Sequence, residues 1–301
     1  MFLLRIVGLG LCRHHHGVLV GYDGRVNRQH ILKRMSNVKP SGVITLTTDF
    51  GHKGPFAAVM KGVILKRFRD ACVVDLAHDI PAYWPHEAGF WISRAYHYFP
   101  AGTVHVAIVD PGVGTGRDII MVEYDKHIFM APDNGLLASM LNSVDGAVVY
   151  QLRQAELDRL NISEPSLTFH GRDIFAPVAA EFAAGRMVPC ELGTRVGQWT
   201  PAWVDEPTVI PGRVTGAIVT VDAFGNLVSN IDQSLVRPFK SPLVRFAGHH
   251  FDLRPTYGNV RPGDYLALIN SFGVIEIARA EGSAAAGLGS ERGAPVVLVE
   301  A

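Results

Sequence analysis

The chain has 301 residues, 48% of them hydrophobic and only 19% charged, and its 28 basic and 28 acidic side chains cancel to a formal charge of zero. A chain of this length can bury one large core or two smaller ones, and its charge balance offers no basic field for nucleic acid or an anionic membrane surface. The three cysteines, Cys12, Cys72 and Cys190, lie far apart and form no Cys-x-x-Cys pair, which argues against a disulfide framework and for a reducing, cytoplasmic compartment; no run reaches the roughly 18 apolar residues that span a bilayer.

Residues 1–40 differ from the rest. Met1–Cys12 is a short apolar stretch, and His14, His15 and His16 follow it. The segment reads as a poorly ordered extension, or as an over-long start ahead of Met35. A cleaved signal would need a basic start and a small-residue cleavage site. The histidine tract has no partner ligands at metal-binding spacing.

From Val43 onward, strand and helix patterns alternate across residues 41–198. Val43–Thr47 predicts a strand. Phe56, Val59, Met60, Val63 and Ile64 make a helical stripe between Pro55 and Phe68. Cys72–Leu76 reads as a buried strand, His86–Phe99 as a helix, and Thr103–Val109 as a third strand. Ile119–Tyr124 and Ile128–Ala131 read as a hairpin. Asn134–Leu141 predicts a short helix with Asp133 as its N-cap. Ala147–Leu152 is a strand pattern, and Asp173–Ala184 is a helix ended by Gly185. Residues 199–212 carry three prolines without periodicity and read as a linker. In 213–301, short strand patterns sit between turn signals: 214–221, 227–231, 243–246, 265–269, 274–278 and 296–299. The expected fold is therefore α/β: an N-terminal, mainly parallel α/β sandwich domain followed by a small C-terminal β-barrel domain.

Polar segments break this apolar chain where strands end. Thr48-Asp49-Phe50-Gly51 follows the first strand, and Asp110-Pro111-Gly112-Val113-Gly114-Thr115-Gly116-Arg117 follows the third. Ligands of open α/β sheets bind beyond the carboxyl ends of strands. Asp49 either caps a neighbouring element or accepts hydrogen bonds from a sugar diol. The glycines after Asp110 either make a tight turn or admit backbone close to a ligand. Neither a dinucleotide fingerprint nor a Walker motif is present. Phe169-His170-Gly171-Arg172-Asp173 adds a histidine in a charged setting. His78, His97, His105 and His127 read as structural. In the second domain, Asp222-Ala223-Phe224-Gly225-Asn226 and Asn270-Ser271-Phe272-Gly273 are either hairpin turns or an aromatic and amide platform for a flat heterocycle. No Gly-x-Ser-x-Gly elbow or His-Glu-x-x-His pair occurs.

In order along the chain, Thr-Asp-Phe-Gly, Val-Asp-Pro-Gly-Val-Gly-Thr, Ala131-Pro132-Asp133-Asn134-Gly135-Leu136-Leu137, Phe-His-Gly-Arg-Asp, Asp-x-Phe-Gly-Asn and Asn-Ser-Phe-Gly make residues 43–299 resemble the S-adenosyl-L-methionine hydroxide adenosyltransferase family. This family comprises the adenosine-forming S-adenosyl-L-methionine hydrolases and is related to the 5′-fluoro- and 5′-chloro-deoxyadenosine synthases. The resemblance implies hydrolysis of S-adenosyl-L-methionine to adenosine and L-methionine, with no cofactor and no metal. It also implies a homotrimer with each site between neighbouring subunits. Asp49 would hold the ribose hydroxyls, with Tyr83 close to the ribose. Phe224 and Asn226 would hold adenine, and Asp222 and Ser271 the methionine amine and carboxylate. Glu276 and Arg279 would lie on the strand edging that pocket. Asp110, Arg117 and His170 match the set that separates the hydrolases from the halogenases, which carry Tyr in place of Asp110. The fluorinase also has Ser for Gly171 and Arg for Phe272. The bulky Tyr83-Trp84-Pro85-His86 departs from the family's usual segment. The implied reaction is in-line attack of an activated water on ribose C5′. The rivals are a 5′-halo-deoxyadenosine synthase, a non-catalytic adenosine or S-adenosylmethionine binder, and a metal-dependent hydrolase.

Overall fold

A computed structural model describes residues 38–301. The expectations for residues 1–37, including Cys12 and His14, His15 and His16, lie outside that range. The first sheet has seven strands: β1 Val43–Thr48, β2 Cys72–Ala77, β3 Val104–Ile108, β4 Ile119–Tyr124, β5 His127–Pro132, β6 Val148–Leu152 and β7 Gly193–Val196. Their order is β2-β1-β3-β5-β4-β6-β7. The pairs β1/β2, β1/β3 and β3/β5 are parallel; β4 runs antiparallel to both β5 and β6. The reversal comes at Asp125 and Lys126, both at positive φ (46° and 64°), as a tight hairpin turn requires.

Both faces of β3 are covered, which explains its apolar run, broken only at the buried His105. Val104, Val106 and Ile108 pack on one side with Ile44, Leu46, Met60 and Phe182. Ala107 packs on the other with Val109, Ile92, Phe129 and Leu141. The covering helices are α1 Phe56–Arg67, α2 Pro85–Ala95, the short α3 Ala138–Ser143 and α4 Ala176–Ala183. His105, also on β3, is buried between the Thr45 hydroxyl (2.8 Å) and His127 (3.2 Å).

Several local expectations are corrected. β2 is an edge strand and half-exposed along its length; its apolar composition reflects cover on one face only. On α1, Met60 and Ile64 are buried, but Phe56 and Val59 are exposed. α3 begins four residues late, because Asp133 Oδ1 accepts the Thr200 amide (2.8 Å) and Asn134 Oδ1 accepts the Leu136 amide (3.3 Å). Neither side chain caps the helix.

The second sheet is antiparallel: β8 Thr208–Ile210, β9 Arg213–Val221, β10 Leu227–Asp232, β11 Pro242–Phe246, β12 His249–Asp252, β13 Tyr265–Ile269, β14 Val274–Arg279 and β15 Pro295–Glu300. Its path runs β12-β11-β15-β9-β10-β14-β13, with β8 on β9. Leu253 bridges to Ala267 and the Arg254 amide donates to Ala267 O (2.8 Å), which nearly closes the barrel around Val214, Ile218, Ile231, Val244, Ile277 and Leu298.

The two sheets meet along α2. Phe90 packs with Val219, Val228 and Val274. Glu87, buried at this seam, accepts hydrogen bonds from Thr220 Oγ1 and Arg292 Nε, both at 2.8 Å. Arg94 pairs with Asp232 at 2.7 Å. A buried carboxylate is tolerated only when partnered in this way. Among the described residues, no helix is long and apolar enough to cross a membrane.

Candidate functional site

β3 delivers Asp110 to the carboxyl edge of the first sheet, and the glycine-rich loop after it folds back against the segment before His170. Gly114 makes that approach possible. Its φ is +76°, and a Cβ there would run into the Leu167 carbonyl, so only glycine fits. The loop brings Arg117 onto Asp110 in a two-pronged contact. Nε donates to both carboxylate oxygens (3.1 and 2.9 Å), and Nη2 donates to Oδ2 (2.5 Å). The Asp110 and Arg117 side chains are only 4% and 11% exposed, so this charge-assisted pair is largely desolvated.

Arg117 Nη2 also lies 2.9 Å from His170 Nδ1. A guanidinium has no acceptor, so Nδ1 accepts and the ring proton sits on Nε2. Burial, then the Arg117 charge, hold the His170 pKa below its ordinary value, against the opposing pull of Asp110 and Asp173. His170 is therefore a neutral imidazole with an N–H to offer. It stands at the head of a π-helical turn, Gly171–Phe175, a local irregularity that often accompanies functional sites. A Cβ at Gly171 would press on the side chains of Met60, Phe169 and Ile108 and make them shift slightly. Phe169 meets Phe50 and Phe56 edge to face, with centroids at 5.8 and 5.4 Å, which makes an aromatic wall of the exposed Phe56. A cavity of about 710 Å³ reaches Arg117 and His170, though not Asp110 or Asp49, and Thr115, Gln151, Arg153 and Gln154 are among its other lining residues.

Asp49 follows β1 directly and is half-buried. Burial raises its pKa and the nearby Asp110 charge adds to the rise; hydrogen bonds from the backbone N–H groups of Asp49 and Tyr83 oppose it. Tyr83 is exposed with φ 64°, a strained conformation for a bulky residue.

The second sheet gathers a different set. Asp222 Oδ1 accepts the Phe224 and Asn226 amides (both 2.9 Å), and Oδ2 accepts Asn226 Nδ2 (3.0 Å). This anchors a turn that buries Asn226 while leaving Phe224 79% exposed. A cavity of about 460 Å³ is lined by Phe224, Asn226, Tyr257, Arg279, Glu281 and Ser283. Arg279 is fixed by its bond to Gly263 O (3.0 Å) and by stacking over Tyr265. Glu276 is buried behind the cavity, its oxygens taken by Tyr257 Oη (2.7 Å) and Asn270 Nδ2 (3.1 Å). Burial raises its pKa against those two hydrogen bonds. Glu276 thus braces Tyr257, a lining residue that the sequence did not single out and that only its contact with Glu276, 19 residues away, makes visible. Ser271 sits exposed at the tip of its turn. The first cavity contains no residue of the second sheet, and the second contains none of the first. Among the described residues, no group of three or more His, Cys, Asp or Glu side chains converges as a metal site.

The SAM hydroxide adenosyltransferase N-terminal domain matches residues 44–192, and the SAM hydroxide adenosyltransferase C-terminal domain matches 216–297. An (R)-S-adenosyl-L-methionine hydrolase of Thermus thermophilus is 36% identical over 259 residues, covering 84% of this chain and 97% of that protein. A fluorinase of Actinopolyspora mzabensis is more distant, at 25% over 285 residues, covering 81% and 93%. The crystal structure of an uncharacterized conserved protein from Thermotoga maritima superposes with a TM-score of 0.77 at 32% identity, covering 85% of this chain and all of that one.

Proposed function

We propose, from the premise that this chain belongs to the SAM hydroxide adenosyltransferase family, that it is an enzyme hydrolysing S-adenosyl-L-methionine to adenosine and L-methionine. The observation that carries the catalytic assignment is the Asp110–Arg117–His170 contact, in which Arg117 fixes both the carboxylate and the imidazole tautomer.

The substrate's sulfonium is already a good leaving group, so the protein's task is to place and polarise one water. Water attacks ribose C5′ opposite the departing sulfur. The C–O bond forms as the C–S bond breaks, and its electron pair stays on methionine sulfur. As the proton leaves, His170 Nε2–H and Arg117 stabilise the hydroxide character of the attacking oxygen. Asp110 accepts the proton at Oδ1, which engages Arg117 through one lone pair and keeps the other, whereas Oδ2 takes two donors. His170, held as a hydrogen donor, is not the base. Low solvent access keeps these interactions weakly screened.

Asp49 takes the ribose hydroxyls, with Tyr83 beside them. Phe224 stacks on adenine and Asn226 reads its edge. Asp222, Ser271 and Arg279 face the methionine end. A site that joins the first sheet of one copy to the barrel of its neighbour, in a homotrimer, fits the separation of the two cavities, which share no residue. Incubation with S-adenosylmethionine in halide-free buffer, followed by chromatography, tests the reading. Adenosine and methionine in equal amounts are expected. Tight binding without methionine release, or 5′-halo-deoxyadenosine when chloride or fluoride is added, overturns it.

A further inference from the structure

We propose that Asp75, His78 and Thr48 form a hydrogen-bonded positioning relay that aims the Asp49 carboxylate at the substrate's sugar hydroxyls. The inference deepens the assignment of Asp49 given above and rests on it.

The relay depends on an irregularity in β2. Leu46 pairs with Asp75, but Thr47 pairs with Ala77, so Leu76 is an extra residue. Residues three apart in a regular strand face opposite sides. The bulge resets that parity and re-aims the side chains beyond it. Asp75 Oδ1 and His78 Nε2 consequently meet at 2.8 Å. Lys61 Nζ donates to the other Asp75 oxygen at 2.6 Å. Burial works against the Asp75 charge, but the hydrogen bonds from Lys61 and His78 outweigh it and hold the carboxyl below its ordinary pKa. An ionised Asp75 accepts from Nε2–H, and in that tautomer Nδ1 is the acceptor. The Thr48 hydroxyl, 2.8 Å away and fully buried, donates to it. With its proton committed, Thr48 Oγ1 accepts the Phe50 amide at 3.2 Å. The chain of donors runs in one direction, from Phe50 N–H through Thr48 and His78 to Asp75.

Asp49 lies between Thr48 and Phe50, so this turn sets where its carboxylate points. The same segments are tied twice more. Gly51 N donates to His78 O at 2.8 Å and Ile80 N to Thr48 O at 3.4 Å. The backbone of Tyr83, farther along the segment that His78 opens, lies close enough to Asp49 to oppose the rise of its pKa. The relay thus holds the two ribose-facing residues of the first sheet in one frame. Thr48 is fully buried and the His78 side chain only 1% exposed, so neither can touch substrate; they act through Asp49.

Steady-state kinetics with S-adenosylmethionine, alongside thermal melts, test this. Asp75→Ala and Thr48→Val should each raise KM about tenfold with kcat within about twofold, because a small misaim of a binding group weakens capture more than the chemical step. Thr48→Ser, which keeps the hydroxyl, should bring KM back to within about twofold of the parent. Asp75→Leu, which fills similar volume and cannot accept from His78, serves if Asp75→Ala does not fold. In an Asp49→Asn background, Asp75→Ala should add nothing further. Parental KM in the Asp75 variants, or equal losses in Thr48→Ser and Thr48→Val, overturns the relay. If Asp49→Asn alone leaves KM unchanged, the ribose assignment itself fails. If Asp49→Asn raises KM and the Asp75 variants do not, only the relay fails.

Discussion

The catalytic edge of the first sheet and the recognition pocket of the barrel solve opposite problems. In the first, charge is concentrated and shielded: Asp110 and Arg117 are almost fully buried and locked to each other and to His170. In the second, Asp222 accepts three hydrogen bonds from its own turn and keeps one acceptor position on Oδ2, and the largest outward face is the ring of Phe224. One region stores oriented dipoles for a charge that appears only during reaction. The other offers a surface for a flat group that is present throughout. Substitutions in the two regions should therefore separate kcat from KM.

The largest expected effect tests that separation directly. Asp110→Asn and His170→Ala should lower kcat about 10³-fold while KM stays within about threefold, since the lost interactions form chiefly in the transition state. Equal changes in KM would erase the distinction. Mixing comes next. Asp110→Asn chains co-refolded with Asn226→Ala chains should recover roughly a quarter of parental activity at low substrate, because one pairing in four joins two intact regions from different copies. No recovery would place both regions of a site on one chain. Asn226→Ala alone should raise KM about 30-fold with little change in kcat, through the loss of hydrogen bonds to one ring edge; isothermal titration with adenosine checks it.

Much of this contrast is legible in the sequence, for a physical reason. Strand-end aspartates and glycine-dense loops interrupt an apolar chain, and period-two and helical patterns mark the elements between them. What escapes is set by partners distant in sequence. β2 reads as buried because composition cannot reveal that a strand lacks a neighbour. Phe56 and Val59 complete an apolar stripe whose exposed end joins an aromatic wall with Phe50 and Phe169. The short β7, β8 and β12 carry too few residues for a pattern, and β8 forms inside the proline-bearing stretch 199–212. The π-helical turn at Gly171 and the Glu276–Tyr257 contact depend on packing that no local signal encodes.

Two smaller effects sharpen the picture of the first region as one built on uncharged imidazoles. His170 titrates below its ordinary value, so kcat/KM should stay level as pH falls to 6.5 and decline only below it; a midpoint above 6.5 in a pH–rate profile would contradict this. His105, pushed down to about 3 by burial and then by His127, binds its proton more weakly folded than unfolded. Its contribution to stability is complete above pH 6.5 and shrinks as pH falls toward 3, by at most about 1.4 kcal/mol per pH unit. Denaturant melts of His105→Gln should show a shallower loss between pH 6.5 and 4 than the parent.

Gly114 sets the scale on which all of this operates. Because peptide touches peptide where the loop crosses Leu167, the guanidinium-to-imidazole gap is gauged by main-chain atoms, like the jaws of a caliper closed on bare metal. Retuning the barrel for another heterocycle would leave that gauge untouched. One added methyl at position 114 would spring it, although it borders neither sugar nor sulfur.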